Sequence, residues 1–166
     1  MISVIIRNRG EYMTSCLMSV LRFIPAPQII IVDDGCGFGV PIDDYTPGKA
    51  LNLGVKEAKG EYILILSSHC VLTSFFGSLK GMDLIDGVWG EQLPIYKGKR
   101  TTWRNNRTKT FHNALSFFKR KTLVEHPFDE TLDSLEDKAW AKDKRVVHST
   151  ELSCDHHWTK EGATWK

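Results

Sequence analysis

Three short apolar runs constrain this chain most. They are Ser3 to Ile6, Gln28 to Val32 and Tyr62 to Leu66. None alternates polar with apolar, so each suits a strand buried on both faces, the pattern of a parallel sheet. Helical periodicity fills the gaps between them. Met13, Leu17, Val20 and Leu21 fall at i, i+4, i+7 and i+8, one face of a helix that Pro25 and Pro27 stop. Gly48 to Lys59 predicts a second helix with Leu51, Val55 and Ala58 inward, closed by Gly60. Strand, helix, strand, loop, helix and strand in this order predict an α/β fold with helices on both faces of the sheet. Ligands of such sheets bind beyond the carboxyl ends of the strands. Here those ends are Arg7-Asn8-Arg9, Asp33-Asp34-Gly35 and Ser67-Ser68-His69-Cys70.

The second half is less regular. Val88 to Tyr96 and Ala114 to Phe118 read as extended, Lys121 to Glu125 as a short helical turn, Leu135 to Asp143 as a helix opening with acids, and Val146 to His157 as a last strand. The chain has no repeat and no low-complexity tract. At 166 residues it has room for one compact domain.

Charge and cysteines narrow the partners. A net charge of +2 excludes a strongly basic nucleic-acid binder, and no nucleic-acid partner is expected. A local basic stretch remains: Tyr96 to Thr122 carries nine Lys or Arg and no acid, with Trp103, Phe111 and His112 interleaved. It is either a solvated loop or a phosphate-facing one. The longest apolar run, Tyr62 to Leu66, is far below the roughly 20 residues of a membrane helix. Met1 to Arg7 lacks the basic region and cleavage site of a signal peptide. Cys16, Cys36, Cys70 and Cys154 form no Cys-x-x-Cys pair and read as reduced thiols of a cytoplasmic protein.

Several side chains can carry chemistry. Asp33 and Asp34 are favoured at a strand-end turn in any case; alternatively they accept hydrogen bonds from a base or a ribose. His69 ends the strongest strand, where an imidazole either bonds backbone or meets a ligand or metal. His156 and His157 are candidates to close such a metal site. Glu136 and Asp137 complement the dipole of the helix they open, or supply a general base.

Taken in order, these segments resemble glycosyltransferase family 2, with its GT-A nucleotide-sugar fold. Ser3 to Ile6 with Asn8-Arg9 resembles the opening strand and nucleotide-binding turn. Ile30-Ile31-Val32-Asp33-Asp34-Gly35 resembles the second strand and its nucleoside-binding Asp pair. Gly48 to Gly54, then Ala58 to Ile63, resembles the approach to the metal motif. Gly87 to Pro94 is similar to a segment of bacterial rhamnosyltransferase-like members. His126-Pro127-Phe128-Asp129-Glu130 and Glu136-Asp137-Lys138-Ala139-Trp140-Ala141 resemble their acceptor-side motif and catalytic Glu-Asp. The resemblance covers about residues 2 to 143. Two departures matter: the family's Asp-x-Asp metal motif falls on Ser67-Ser68-His69, so His69 stands where the second carboxylate would be, and the opening turn after Ile6 is about two residues shorter than the family's.

The resemblance implies a mostly parallel GT-A (Rossmann-like) sheet in a single domain over 1–166, with a nucleotide-binding half (1–70) and an acceptor and catalytic half (71–166). It implies a metal-dependent, hexosyltransferase-type enzyme that inverts the anomeric carbon. Asp137 is the implied base, with Glu136 next to it. Asn8, Arg9, Asp33, Asp34, Lys49, Asn52 and Ser68 would bind the nucleotide of a UDP, dTDP or GDP sugar. Trp89 and Trp103 would stack on sugar. His69, His156 and His157 would hold a divalent metal, Mn²⁺ in preference to Mg²⁺ because imidazole softens the site. The acceptor would be a glycan or a lipid-linked chain, the latter implying a peripheral contact with membrane.

Three alternatives stay open. One is a non-catalytic nucleotide-sugar or glycan-binding protein that keeps the fold. Another is a nucleotidyltransferase, for which Arg7-Asn8-Arg9-Gly10 is poor in glycine. The last is a zinc protein using His69, Cys70, Cys154 and His156.

Overall fold

A computed structural model describes residues 1–8, 12–33, 37–100 and 111–158 of the chain; the side chains of Asn8, Asp33, Arg100 and Trp158 are outside that description. The strands are β1 (Ile2–Asn8), β2 (Gln28–Asp33), β3 (Tyr62–Ser67), β4 (Cys70–Ser74), β5 (Gly87–Tyr96), β6 (Lys99–Arg100), β7 (Leu115–Lys119) and β8 (Val146–Trp158). The helices are α1 (Met13–Phe23), α2 (Pro47–Glu57), α3 (Arg120–Glu125) and α4 (Glu136–Ala141).

One sheet holds all the strands, in the order β2-β1-β3-β7-β5-β8-β4, with β6 on β5. Its heart, β2-β1-β3, is parallel, as the apolar runs require, and β5 and β8 are also parallel. The joints β3–β7, β5–β7, β4–β8 and β5–β6 are antiparallel. This is the expected α/β architecture with helices on both faces.

Strand alternation divides the core in two. Val4, Ile6, Leu64, Leu66, Leu115 and Phe117 face the α1 side with Cys16, Val20 and Ile24. Ile5, Ile63, Ile65 and Phe118 face the other side with Leu51, Val55, Leu123 and Trp140. Because both faces are covered, polar alternation is absent from the central strands.

Two local expectations are corrected. Leu21 is 55% exposed rather than inward. The buried stripe of α1 is Cys16, Ser19 and Val20. Ser19 is buried because its Oγ accepts from the Leu72 N–H at 2.9 Å, tying α1 to β4. Gly60 does not close α2, which ends at Ala58 in extended conformation. Gly60 instead lies against β1: its N–H donates to Ser3 Oγ at 2.8 Å, and a Cβ there would sit 2.6 Å from the Ser3 nitrogen.

Candidate active site

Parallel pairing brings the carboxyl ends of β1, β2 and β3 together. Asn8 is in register with Asp33, and Arg7 with Ser67. The chain leaves β3 through a tight turn at Ser68 and His69, then enters β4. Ser68 is fully buried and its N–H donates to the Arg7 carbonyl at 3.0 Å. Arg7 crosses this end of the sheet. Its Nη2 donates to Ser67 Oγ at 3.5 Å and its Nη1 to Glu136 Oε1 at 3.4 Å. Its Nε is buried with no partner among the described residues.

Glu136 and Asp137 open α4 and are buried, at 5% and 6% exposure. Acidic side chains are stabilised at a helix start, but solvated ones would serve equally; burial requires partners. Asp137 has them on both oxygens. Oδ1 accepts from the Lys138 N–H at 2.8 Å and Oδ2 from the Asn113 N–H at 3.3 Å. His112 Nδ1 lies 3.5 Å from Oδ2. Trp140 fixes the helix from behind, its Nε1 donating to the His126 carbonyl at 2.6 Å.

The histidines sort by strand geometry. Cys70 stands opposite His156 in the antiparallel β4–β8 pair. The His69 and His156 rings stack at 4.7 Å between centroids. Ligand atoms of His69, Cys70 and His156 all lie within 4.8 Å of one another. His157 is next along the strand and so faces the other way. Its ring stacks on Tyr12 at 4.4 Å, and burial, against a smaller opposing effect of Asp155, holds its pKa below the usual imidazole value. It is not in the cluster. Burial, the first cause, pushes the Cys16 and Cys154 thiols up, so both remain protonated in the core.

Other expected residues have local duties. The Asn52 amide donates to the Phe128 carbonyl and to Glu130 Oε1, both at 2.9 Å, and its Oδ1 accepts from the Phe128 N–H at 3.0 Å. It therefore pins the 128–130 loop to α2. Lys49 donates from Nζ to the Asp44 carbonyl at 3.1 Å. Trp89 packs its ring at 5.4 Å from His148 and 6.1 Å from Phe111, half-buried over the sheet. Arg9, Asp34 and Trp103 lie outside the described residues. Asn8 and Asp33 are placed at the sheet end by backbone alone.

Sequence reasoning missed three partners: Arg7 for Glu136, His112 for Asp137 and Gln92 for His156. Arg7 and His112 stood in segments already singled out, but their pairing is tertiary. Gln92 also stood in a singled-out segment, Gly87 to Pro94, but no local pattern pairs it with His156.

Residues 1–133 match the model of glycosyl transferase family 2, and the chain belongs to that family. No protein of curated function matches the sequence. Among solved structures, residues 1–349 of S. aureus TarS in complex with UDP-GlcNAc superpose with a TM-score of 0.68 at 17% identity, covering 98% of this chain and 59% of that one. Mannosyltransferase PcManGT from Pyrobaculum calidifontis, in complex with GDP-Man and Mn²⁺, superposes with a TM-score of 0.65 at 13% identity, covering 99% and 58%. These similarities establish the GT-A fold. The chain spans under two thirds of either structure.

Proposed function

We propose that this domain is an inverting, hexosyltransferase-type glycosyltransferase, moving a sugar from UDP, dTDP or GDP to a hydroxyl of a glycan or lipid-linked acceptor. The observation that carries this reading is the buried Glu136–Asp137 pair, joined through Arg7 to the carboxyl ends of parallel strands in a family 2 chain. TarS binds UDP-GlcNAc and PcManGT binds GDP-Man on the same fold, which supports a nucleotide-sugar donor.

In this reading residues 1–70 hold the nucleotide and 71–166 the acceptor and catalytic groups. Asp33 and Asp34 are assigned to base and ribose, and Asn8 and Arg9 to the same nucleotide. Asp137 is the base. The acceptor oxygen forms a bond to the anomeric carbon while the bond from that carbon to the diphosphate oxygen breaks. The acceptor proton passes to Asp137, and the nucleoside diphosphate leaves with the electron pair. A transition state with oxocarbenium character needs the base on the face opposite the leaving group. Backbone N–H groups at both Asp137 oxygens hold its carboxylate in place. Glu136, paired with Arg7, orients the start of α4.

His69 and His156 fit a divalent ion: their ligand nitrogens lie within 4.8 Å of each other, and Gln92 Oε1 lies 3.0 Å from His156 Nδ1. Such an ion would supply positive charge beside the diphosphate, and imidazole donors favour Mn²⁺ over Mg²⁺.

Among the described residues no helix is long and apolar enough to cross a membrane. In this reading a lipid-linked acceptor is met by peripheral contact with membrane. Three described cysteines are free and buried, which supports a reducing, cytoplasmic setting. A non-catalytic glycan-binding role draws support from one observation, the absence of both carboxylates at Ser67-Ser68-His69. Calorimetric titration with UDP, dTDP and GDP sugars, with and without Mn²⁺, tests the reading. Saturable binding to one nucleotide class is expected, and no binding to any would refute it.

A further inference from the structure

His69, Cys70 and His156 form a donor set unlike the Asp-x-Asp it replaces. The register accounts for their meeting. Cys70 and His156 are directly opposite on β4 and β8, where Cβ atoms are about 5 Å apart. His69 immediately precedes Cys70, and its carbonyl accepts from the His157 N–H at 2.9 Å, which pins the turn to β8. Cys70 is fully buried and His156 is 3% exposed.

Gln92 completes the arrangement. Its Oε1 accepts from His156 Nδ1 at 3.0 Å, and Gln92 is itself 6% exposed. With the amide oxygen toward the ring, the Nδ1–H tautomer of His156 makes this bond and presents Nε2 as the ligating nitrogen. A carbonyl holding the far nitrogen of an imidazole is the usual outer support of a metal-bound histidine.

Two imidazoles and a thiol, with no carboxylate, are a soft donor set. Oxygen donors suit Mg²⁺ and Mn²⁺, whereas imidazole and thiolate suit Zn²⁺. We infer that His69, Cys70 and His156 form a three-ligand Zn²⁺ site, supported by Gln92, that ranks Zn²⁺ above Mn²⁺ and Mn²⁺ above Mg²⁺. The inference takes from the transferase reading only that a divalent ion serves this corner of the sheet. Binding releases the thiol proton to solvent and forms a sulfur–metal bond, with no change of oxidation state.

The test uses the whole chain, stripped with chelator, without any nucleotide. Addition of Co²⁺ should give a sulfur-to-cobalt charge-transfer absorption. One equivalent of Zn²⁺ should abolish it, while Mn²⁺ should fail to do so even in about hundredfold excess. Gln92→Leu should weaken Zn²⁺ binding by roughly 10- to 100-fold. Cys70→Ser should remove the absorption while Cys16→Ser keeps it. Should Cys70→Ser not fold, the wild-type spectrum and competition still decide. Lack of a charge-transfer band, or equal competition by Mn²⁺, overturns the zinc site. Because no sugar nucleotide is present, that failure would leave the transferase reading standing. A zinc-selective, thiolate-ligated site in a protein that turns over no sugar nucleotide would uphold the site and refute the enzyme.

Discussion

Arg7 and Glu136 form an ion pair at 3.4 Å, although they lie 129 positions apart in the chain. The pair joins the end of β1, at the sheet edge proposed for the nucleotide, to the first turn of α4, which carries Asp137. Removal of Arg7 leaves Glu136 buried without its cation. Arg7→Ala should therefore destabilise the fold by roughly 1–3 kcal/mol. Urea unfolding measures it. Arg7→Ala combined with Glu136→Leu should recover part of the loss, because no charge then stays buried alone. Equal stability of Arg7→Ala and wild type would show that the pair does not hold α4.

Asn52 tests structure against ligand binding. Its amide makes three hydrogen bonds to the 128–130 loop. Asn52→Leu strands the Phe128 N–H and carbonyl and should cost about 1–3 kcal/mol in chemical denaturation. If the loop is its whole duty, nucleotide affinity of the folded variant stays within about twofold of wild type. A larger fall in affinity would assign it to the nucleotide, as the family resemblance implies.

Asp129 gives a pH test in that same loop. Its Oδ1 accepts from Thr131 Oγ1 at 2.7 Å and from the Thr131 N–H at 2.9 Å. These two bonds, the side-chain one first, lower its pKa below the ordinary 3.8. A carboxyl lowered on folding contributes stability that is present above its unfolded pKa and lost as pH falls through the folded value. An NMR titration of the Asp129 carboxyl should show a midpoint below 3.8, moving upward in Thr131→Val. An unmoved midpoint would remove the Thr131 hydroxyl as the cause.

Much of the fold is legible because burial leaves a mark on sequence. The central strands β1, β2 and β3 read as unbroken apolar runs since both faces are covered. The strand β4 did not register. It is five residues long and follows β3 across a two-residue turn, so no separate apolar run announces it. Its partner β8 lies far along the chain. The phase of α1 misled for a related reason. Ser19 is inward because β4 supplies a backbone donor for its hydroxyl, and Leu21 is left outside. At the site, the Glu136-Asp137 dipeptide was visible as a motif, whereas its Arg7 and His112 partners exist only through folding. His156 and His157 were equivalent as letters. Strand alternation alone separates the one beside His69 from the one against Tyr12.

Sugar transfer itself is decided by the release of nucleoside diphosphate from UDP, dTDP and GDP sugars, measured for wild type and Asp137→Asn with a panel of hydroxyl acceptors. Asparagine keeps the shape and still accepts at one atom, but it cannot take the acceptor proton. Wild type should release diphosphate in an acceptor-dependent manner. Asp137→Asn should bind nucleotide equally well and turn over at least about a hundredfold more slowly, the scale of a lost general base. Equal turnover by wild type and Asp137→Asn, or acceptor-dependent turnover lost only in Glu136→Gln, would contradict the role given to Asp137.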